Sequence, residues 1–588
     1  MKCFKKLSVC LIIILIAAFI FPLFSERFES SAKAVGATAV PVIFSVTDAV
    51  NPGEQFSING EYFGSSKENL TVKMAPLGST ADFNSAPVNL EIMQVDQNGQ
   101  YIVCAFPFTE TAGIYDLWVN NGFGTSAVYK LNGPRPLFIS EKEVWAGQFI
   151  DISGRNFDGS EFGVGTIPVV RLGNSHQISG PDILEFNEFR IRFRVPASVP
   201  AGDHNVYVST GGGWFAPLAE RQTLTVVTAG EDPLNIGAAW VRHIDWSRVM
   251  TPAVSGSNTA AQNDSAIQSA INTAYTNRAT GGGVIKLPAG TFKVSDIQLS
   301  SYAVIVGAGK NQTFLQYAGT NQGRFIKQHD DNSRNLTGYN GIADLTVVNP
   351  YANDSTRTSI TPDYYVVMGN YDGFTSHDGN KSEGYFVKNV KIDCSMSPAA
   401  ATSVNNNRGY GLTISGSRVV LDNVDIKGYG GHISVQNGKY ARAENVKSQY
   451  AVAQTNFLNS YTFVINSEFH GRREYNNGTQ VYYASDSGRS YNDQGMTFSK
   501  RYWTSMHGIM ARDKSHYDNV EINGMGAYAN DGEIIGIEVP GGNFGAGELA
   551  SATATSVTLK SGMPIRYGND TKTAFGVYRT NNRYTASL

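Results

Sequence analysis

The sequence predicts an all-β protein in which two tandem β-sandwich modules precede a parallel β-helix. Three observations carry that reading. Residues 50–64 (VNPGEQFSINGEYFG) and 144–159 (VWAGQFIDISGRNFDG) repeat one another. Residues 263–309 pass from an amphipathic helix through a glycine triplet into short apolar strands. Beyond Gly309, short strands recur in which Asn or Asp sits beside a large apolar residue.

The repeat places Gly53 with Gly147, Gly60 with Gly154 and Phe63 with Phe157, and 111–124 (TAGIYDLWVNNGFG) matches 200–213 (PAGDHNVYVSTGGG). A period near ninety residues with alternating apolar and polar strands points to two sandwiches. The pattern G-x-x-x-x-I-x-G-x-x-F with a later A-G-x-x-x-x-x-V resembles the immunoglobulin-like IPT/TIG modules over roughly residues 40–228, which implies a sandwich at 40–132 and a second at 133–228. Trp145 and Trp214 suit either sugar stacking or packing, and packing is the commoner fate of Trp. Residues 229–262, with Trp240 and Trp246, read as a linker that packs the second sandwich against the β-helix.

In 263–309, Ile267, Ala270, Ile271 and Ala274 recur at helical spacing on one face. Gly281 to Gly283 stop the helix. Val284, Ile285 and Leu287 form a buried strand and Pro288 to Gly290 a turn. Further on, Asn389, Asn423, Asn445 and Asn466 recur at spacings of 34, 22 and 21 inside runs such as KNVKI, DNVDI and ENVKS. Rungs of roughly 20–25 residues with stacked asparagines suit a parallel β-helix over 263–588. A helix leading into glycines and short strands resembles the start of the pectate-lyase-like superfamily, which includes rhamnogalacturonases and polysaccharide epimerases. The resemblance implies a right-handed, single-stranded parallel β-helix that works on carbohydrate polymers. No capping helix or polar end-rung is visible near Leu588, so the sequence reads as a fragment of a longer enzyme or as one that lacks further domains.

Lys2, Lys5 and Lys6, the apolar stretch Leu11 to Phe24 and the A-x-A-like Ala32-Lys33-Ala34 read as a signal peptide over 1–34, hence a secreted protein, with an uncleaved membrane anchor as the competing reading. The chain carries 47 basic and 50 acidic residues, a formal charge of −3. Such a balance predicts no nucleic-acid partner. Binding of a uronic-acid polymer would need a local basic cleft. Cys104 and Cys394 lie in apolar runs of different modules and read as buried free thiols.

The chemistry is sought where polar residues crowd, at 470–538. Asp531 and Glu533 share a face of an extended strand, their Cα atoms roughly 6.5–7 Å apart. Glycosidase carboxylates stand about 5 Å apart for retention and about 9 Å for inversion, so the pair suits acid/base work without settling stereochemistry. Glu538 would support them. The competing reading is a solvated turn, because Asp-Gly is a strong turn signal. A lyase or C5-epimerase instead needs a base, for which His507 or Arg512 is the candidate, Arg being the poorer because it stays protonated, and cations for the enolate. Arg472, Arg473 and Arg512 would clamp a uronate. Asp493 with Tyr482, Tyr502 and Trp503 would line a sugar cleft. Pectate-lyase relatives use Ca²⁺, so calcium is a possible cofactor if the enzyme is a lyase. Asp422, Asp425 and Glu444 lie on repeating strands but show no liganding spacing.

The sequence therefore predicts a secreted carbohydrate-active enzyme on an extracellular, cell-wall or cell-surface polysaccharide, with glycoside hydrolysis ahead of a lyase or C5-epimerase. A non-catalytic, tailspike-like glycan-binding surface protein is the alternative from another class.

Overall fold

The computed structural model describes residues 39–162, 167–319, 324–328, 338–350, 364–369, 382–394, 410–428, 433–451, 455–471, 474–476, 479–481, 509–511, 514–523, 534–539, 543–552, 557–559, 565–567, 570–572 and 584–586. The chain is predominantly β. It divides into two compact units, one built on residues up to 134 with 158–168 and 209–216, the other comprising 135–157, 169–208 and everything from 217 onward.

In the first unit, two antiparallel sheets share one core. One sheet orders Val42–Val46, Gln55–Glu61, Tyr101–Ala105 and Glu91–Val95, and the other Val88–Asn89, Thr71–Pro76, Tyr115–Asn120 and Tyr129–Leu131. Phe56, Ile58, Met74, Ile102 and Leu117 meet between them. Cys104 is a buried free thiol, and burial pushes it up to about 12.

The second unit contains a module of the same kind joined to a stack of parallel strands. Phe149–Arg155 lies between Arg190–Arg194 and Arg135–Ile139, while a facing sheet runs through Thr223–Val226, Gly202–Ser209 and Val169–Leu172. The repeated glycines have a common physical task. A Cβ on Gly60 would lie 1.9 Å from the Val42 carbonyl oxygen and 2.6 Å from the Phe63 ring, and one on Gly154 would lie 2.4 Å from the Arg135 carbonyl oxygen and 2.2 Å from the Phe157 ring. Each glycine thus clears space for the neighbouring strand and for the phenylalanine three residues later. Trp145 is buried and Trp214 half-buried.

The helix Ala260–Thr276 opens with a capping box between Thr259 and Gln262, and buries Ile267, Ala270, Ile271 and Ala274. Gly281, at φ 92°, ends the turn after it. From there the chain alternates between two parallel sheets. One runs through Gly283–Lys286, Ala303–Val306, Gly338–Val348, Glu383–Cys394, Ser417–Gly428, Lys439–Glu444, Ser460–Gly471 and Ser515–Asn523. The other runs through Ile297–Leu299, Arg324–Gln328, Tyr364–Gly369, Tyr410–Ser415, Ile433–Gln436, Thr455–Phe457 and Ile509–Ala511. Ala343, Lys388, Asp422, Glu444, Ile465 and Asp518 stand in register on successive strands.

One residue later comes a column in left-handed backbone: Asp344, Asn389, Asn423, Asn445, Asn466 and Asn519, with φ between 49° and 55°. Asn and Asp tolerate this region best among residues with a side chain. Their amides bond along the stack, Asn389 Nδ2 donating to Asp344 (2.5 Å), Asn423 to Asn389 (3.0 Å) and Asn519 to Asn466 (2.8 Å). The column splits each long strand into two faces. Outward residues of the first half, Val304, Phe386 and Val420, are covered by Trp240, Trp246 and Ile236. Phe463 and Ile465 are covered by Phe138 of the second module. Among the described residues, parallel pairing ends at Ser515–Asn523; Ile534–Val539 and Asn543–Ala552 pair antiparallel.

Candidate functional site

The second half of the long strands carries the candidate site. Lys391, Asp425 and Lys447 are register partners on three successive strands, all facing outward. Parallel neighbours lie about 4.8 Å apart, so the three side chains form a row along the stack. Lys427, two residues after Asp425, shares its face and is exposed. The turn Gly309–Gln312 forms a wall beside this row. It is pinned by Gly307 and Gly309 amides donating to the Ala343 and Asp344 carbonyls, both at 2.9 Å. Lys310 reaches from it to Asp425 (2.6 Å) and to Asn423 Oδ1 (3.2 Å). Asn389, Asn423, Asn311 and Gln312 complete a groove of about 700 Å³.

The lining holds four lysines and one carboxylate, a sum of 4 − 1 = +3, on a chain whose total is −3. Lys447 also pairs with Glu468 at 2.5 Å, and Lys391 lies 3.9 Å from Asp393. Both lysines are more than a third exposed, so these pairs are worth at most about 1 kcal/mol and an anionic ligand can displace them. The cations are ammonium points rather than guanidinium forks, so they attract an anion without dictating a bidentate geometry. Amide groups beside them supply hydrogen bonds to hydroxyls.

The residues singled out in the sequence lie elsewhere. Asp531, Glu533, His507, Arg472, Arg473, Arg512, Asp493, Tyr482, Tyr502 and Trp503 lie outside the described residues. Glu538 is on the antiparallel strand Ile534–Val539, its side chain likewise outside the description. The three carboxylates weighed as calcium ligands each hold a cation: Asp422 pairs with Lys388, Asp425 with Lys310 and Glu444 with Arg192. Among the described residues no group of three His, Cys, Asp or Glu is arranged to hold a metal. Sequence reasoning missed the groove lysines because it followed carboxylates. Their signal was present, since Lys391, Asp425 and Lys447 each stand two residues after a ladder asparagine.

No family model matches the chain, and no curated protein does. Solved structures resemble parts of it. SGBP-B from a complex xyloglucan utilization locus in Bacteroides uniformis is 19% identical over 32% of this chain and 49% of its own, with a TM-score of 0.16. The A-module of the Azotobacter vinelandii mannuronan C-5 epimerase AlgE4 is 12% identical over 47% of this chain and 77% of its own, at 0.22. A family 28 exopolygalacturonase of Yersinia enterocolitica is 9% identical over 66% and 69%, at 0.27. The chain spans about half the length, or less, of the glycan-binding proteins it resembles. At these scores the likenesses assign neither activity nor substrate. Among the described residues no helix is long and apolar enough to cross a membrane.

Proposed function

We propose that this is a secreted, carbohydrate-active protein, built as two immunoglobulin-like modules and a right-handed parallel β-helix, that takes an acidic polysaccharide along the outward face of the second half of its stacked strands. The observation that carries the reading is the gathering of Lys310, Lys391, Lys427 and Lys447 about one carboxylate on an otherwise acidic chain. A cleft of one sign concentrates its counter-ion, and the row of side chains along the stack suits a linear polyanion. The enzymatic half of the proposal is cleavage of the bound chain, with Asp531 and Glu533 as acid and base, Glu538 and His507 beside them, and hydrolysis ahead of β-elimination or C5-epimerisation. A second reading, glycan binding without catalysis, is favoured by one feature: among the described residues the only carboxylate lining the groove, Asp425, is bound to Lys310 and is poorly placed to move a proton.

The experiment is a panel of acidic and neutral polysaccharides offered to the secreted protein. Binding that favours the acidic members and weakens with salt supports the groove; equal binding of neutral polymers overturns it. New ultraviolet absorbance marks a lyase, new reducing ends without it mark a hydrolase, and retained binding with no product leaves the non-catalytic reading.

A further inference from the structure

The second module meets the stacked strands at a joint in which His516, 1% exposed, lies at the centre. Its Nδ1 is 3.1 Å from Ser153 Oγ on the module strand Phe149–Arg155, and its ring centroid is 5.2 Å from that of Phe463. Nε2 has no hydrogen-bond partner among the described residues. The charged groups around it are already engaged with one another or with backbone carbonyls. From the module, Arg190 donates through Nε to Asp518 (2.6 Å), through Nη1 to Asp151 (2.9 Å) and through Nη2 to Glu185 (2.7 Å). Arg192 donates to Asp151 and to Glu444, both at 2.8 Å. Asn187 Nδ2 donates to Asp518 at 3.0 Å. From the strands, Arg442 donates to the Ile236 and Gly237 carbonyls and Lys514 pairs with Glu220 at 3.0 Å.

A neutral imidazole fits this setting: one nitrogen shares a proton with Ser153, the other has no hydrogen-bond partner among the described residues, and burial outweighs the pull of the Asp518 and Asp151 carboxylates. We propose that His516 is an acid sensor built into the joint, its protonation loosening the second module from the stacked strands. The added proton would place a positive charge beside Arg190 where Asp518 and Asp151 are already occupied by guanidinium groups. Burial pushes the imidazole down to about 4. In a loosened joint it returns to the ordinary value of about 6.5. The open state then binds the proton more tightly, so closure is fully favoured above about pH 6.5 and weakens as pH falls toward 4. At pH 4.5 the opening equilibrium is roughly 60-fold larger than at pH 7.

Hydrogen exchange on the full chain tests this, with rates corrected for intrinsic exchange and followed in Phe149–Arg155 and Arg190–Arg194. The wild type is expected to open roughly 60-fold more at pH 4.5 than at pH 7, and His516→Gln, which keeps a polar side chain but cannot titrate, should flatten that rise. The same rise in H516Q would assign it to Asp518, Glu444, Glu185 or Glu220 and overturn the proposal, as would no rise in the wild type. Should H516Q not fold, the wild-type His516 proton resonance decides: a midpoint near 4 supports the sensor, and one near 6.5 overturns it.

Discussion

Two guanidinium groups approach the Phe149 ring, Arg192 at 4.4 Å and Arg442 at 4.6 Å from its centroid. Two cations so close need anions, and Asp151, fully buried, supplies one. Burial alone would raise its carboxyl, but Arg192 and Arg190 outweigh burial and hold it below the usual carboxylate range. Replacing Asp151 by Ala leaves two buried arginines short of a partner. That loss is expected to cost about 3–5 kcal/mol in denaturant-induced unfolding. The sign with pH follows from the lowered folded value: the contribution is complete above about pH 4 and disappears as pH falls through the folded value. An Asp151→Ala variant should therefore lose less stability than the wild type between pH 4 and pH 2, and a parallel loss in both would show that Asp151 carries no such charge. None of this network is visible along the chain. Arg190 and Asp518 are separated by 328 residues, and each reads alone as an ordinary strand-face charge.

At the scale of the element, the asparagine column was legible and its companion was not. The segments around Asn389, Asn423, Asn445 and Asn466 align in the sequence at the register in which they pair, because the left-handed backbone selects one residue type at each rung. A second left-handed column, Tyr302, Tyr339, Arg418, Tyr440, Tyr461 and Lys514, opens the same strands. It mixes Tyr with Arg and Lys and is held by packing: Tyr440 stacks on Tyr461 at 5.0 Å, and Lys514 lies 5.2 Å from the Tyr461 ring centroid. The two columns predict different responses to mutation. Asn423→Ala removes the bond to Asn389 and leaves a Cβ in left-handed backbone without local compensation, for an expected loss of about 2–3 kcal/mol. Asn423→Gly relieves the backbone and should cost only about 1 kcal/mol. Equal losses, measured by denaturation, would mean that the ladder bond dominates and the backbone does not matter. The cap helix was legible for a similar reason, since Thr259 and Gln262 sit at the spacing of a capping box; Thr259→Ala is expected to cost about 1 kcal/mol.

For the whole molecule, net charge does not report the charge of a local surface. A total of −3 conceals a groove whose lining sums to 4 − 1 = +3, and to 4 − 3 = +1 when Glu468 and Asp393, beside Lys447 and Lys391, are counted. The sequence did state the condition, a local basic cleft, but could not locate it: Lys310 is 115 residues before Asp425 and joins it only through the fold. The two halves of the functional proposal make separable kinetic predictions. Lys391→Ala with Lys447→Ala removes attraction that a polyanion feels before and during reaction alike. The pair should weaken binding of an acidic polysaccharide by about tenfold at low salt and reduce the salt dependence, raising KM with kcat nearly unchanged. Asp531→Asn and Glu533→Gln act on the transition state alone, so each should lower kcat by about a hundredfold or more while affinity stays intact. If the lysine pair leaves affinity and its salt slope unaltered, the groove is not where the glycan lies. If the lysines matter and both carboxylate variants turn over normally, the polymer is bound in the groove but the reacting groups are other than Asp531 and Glu533.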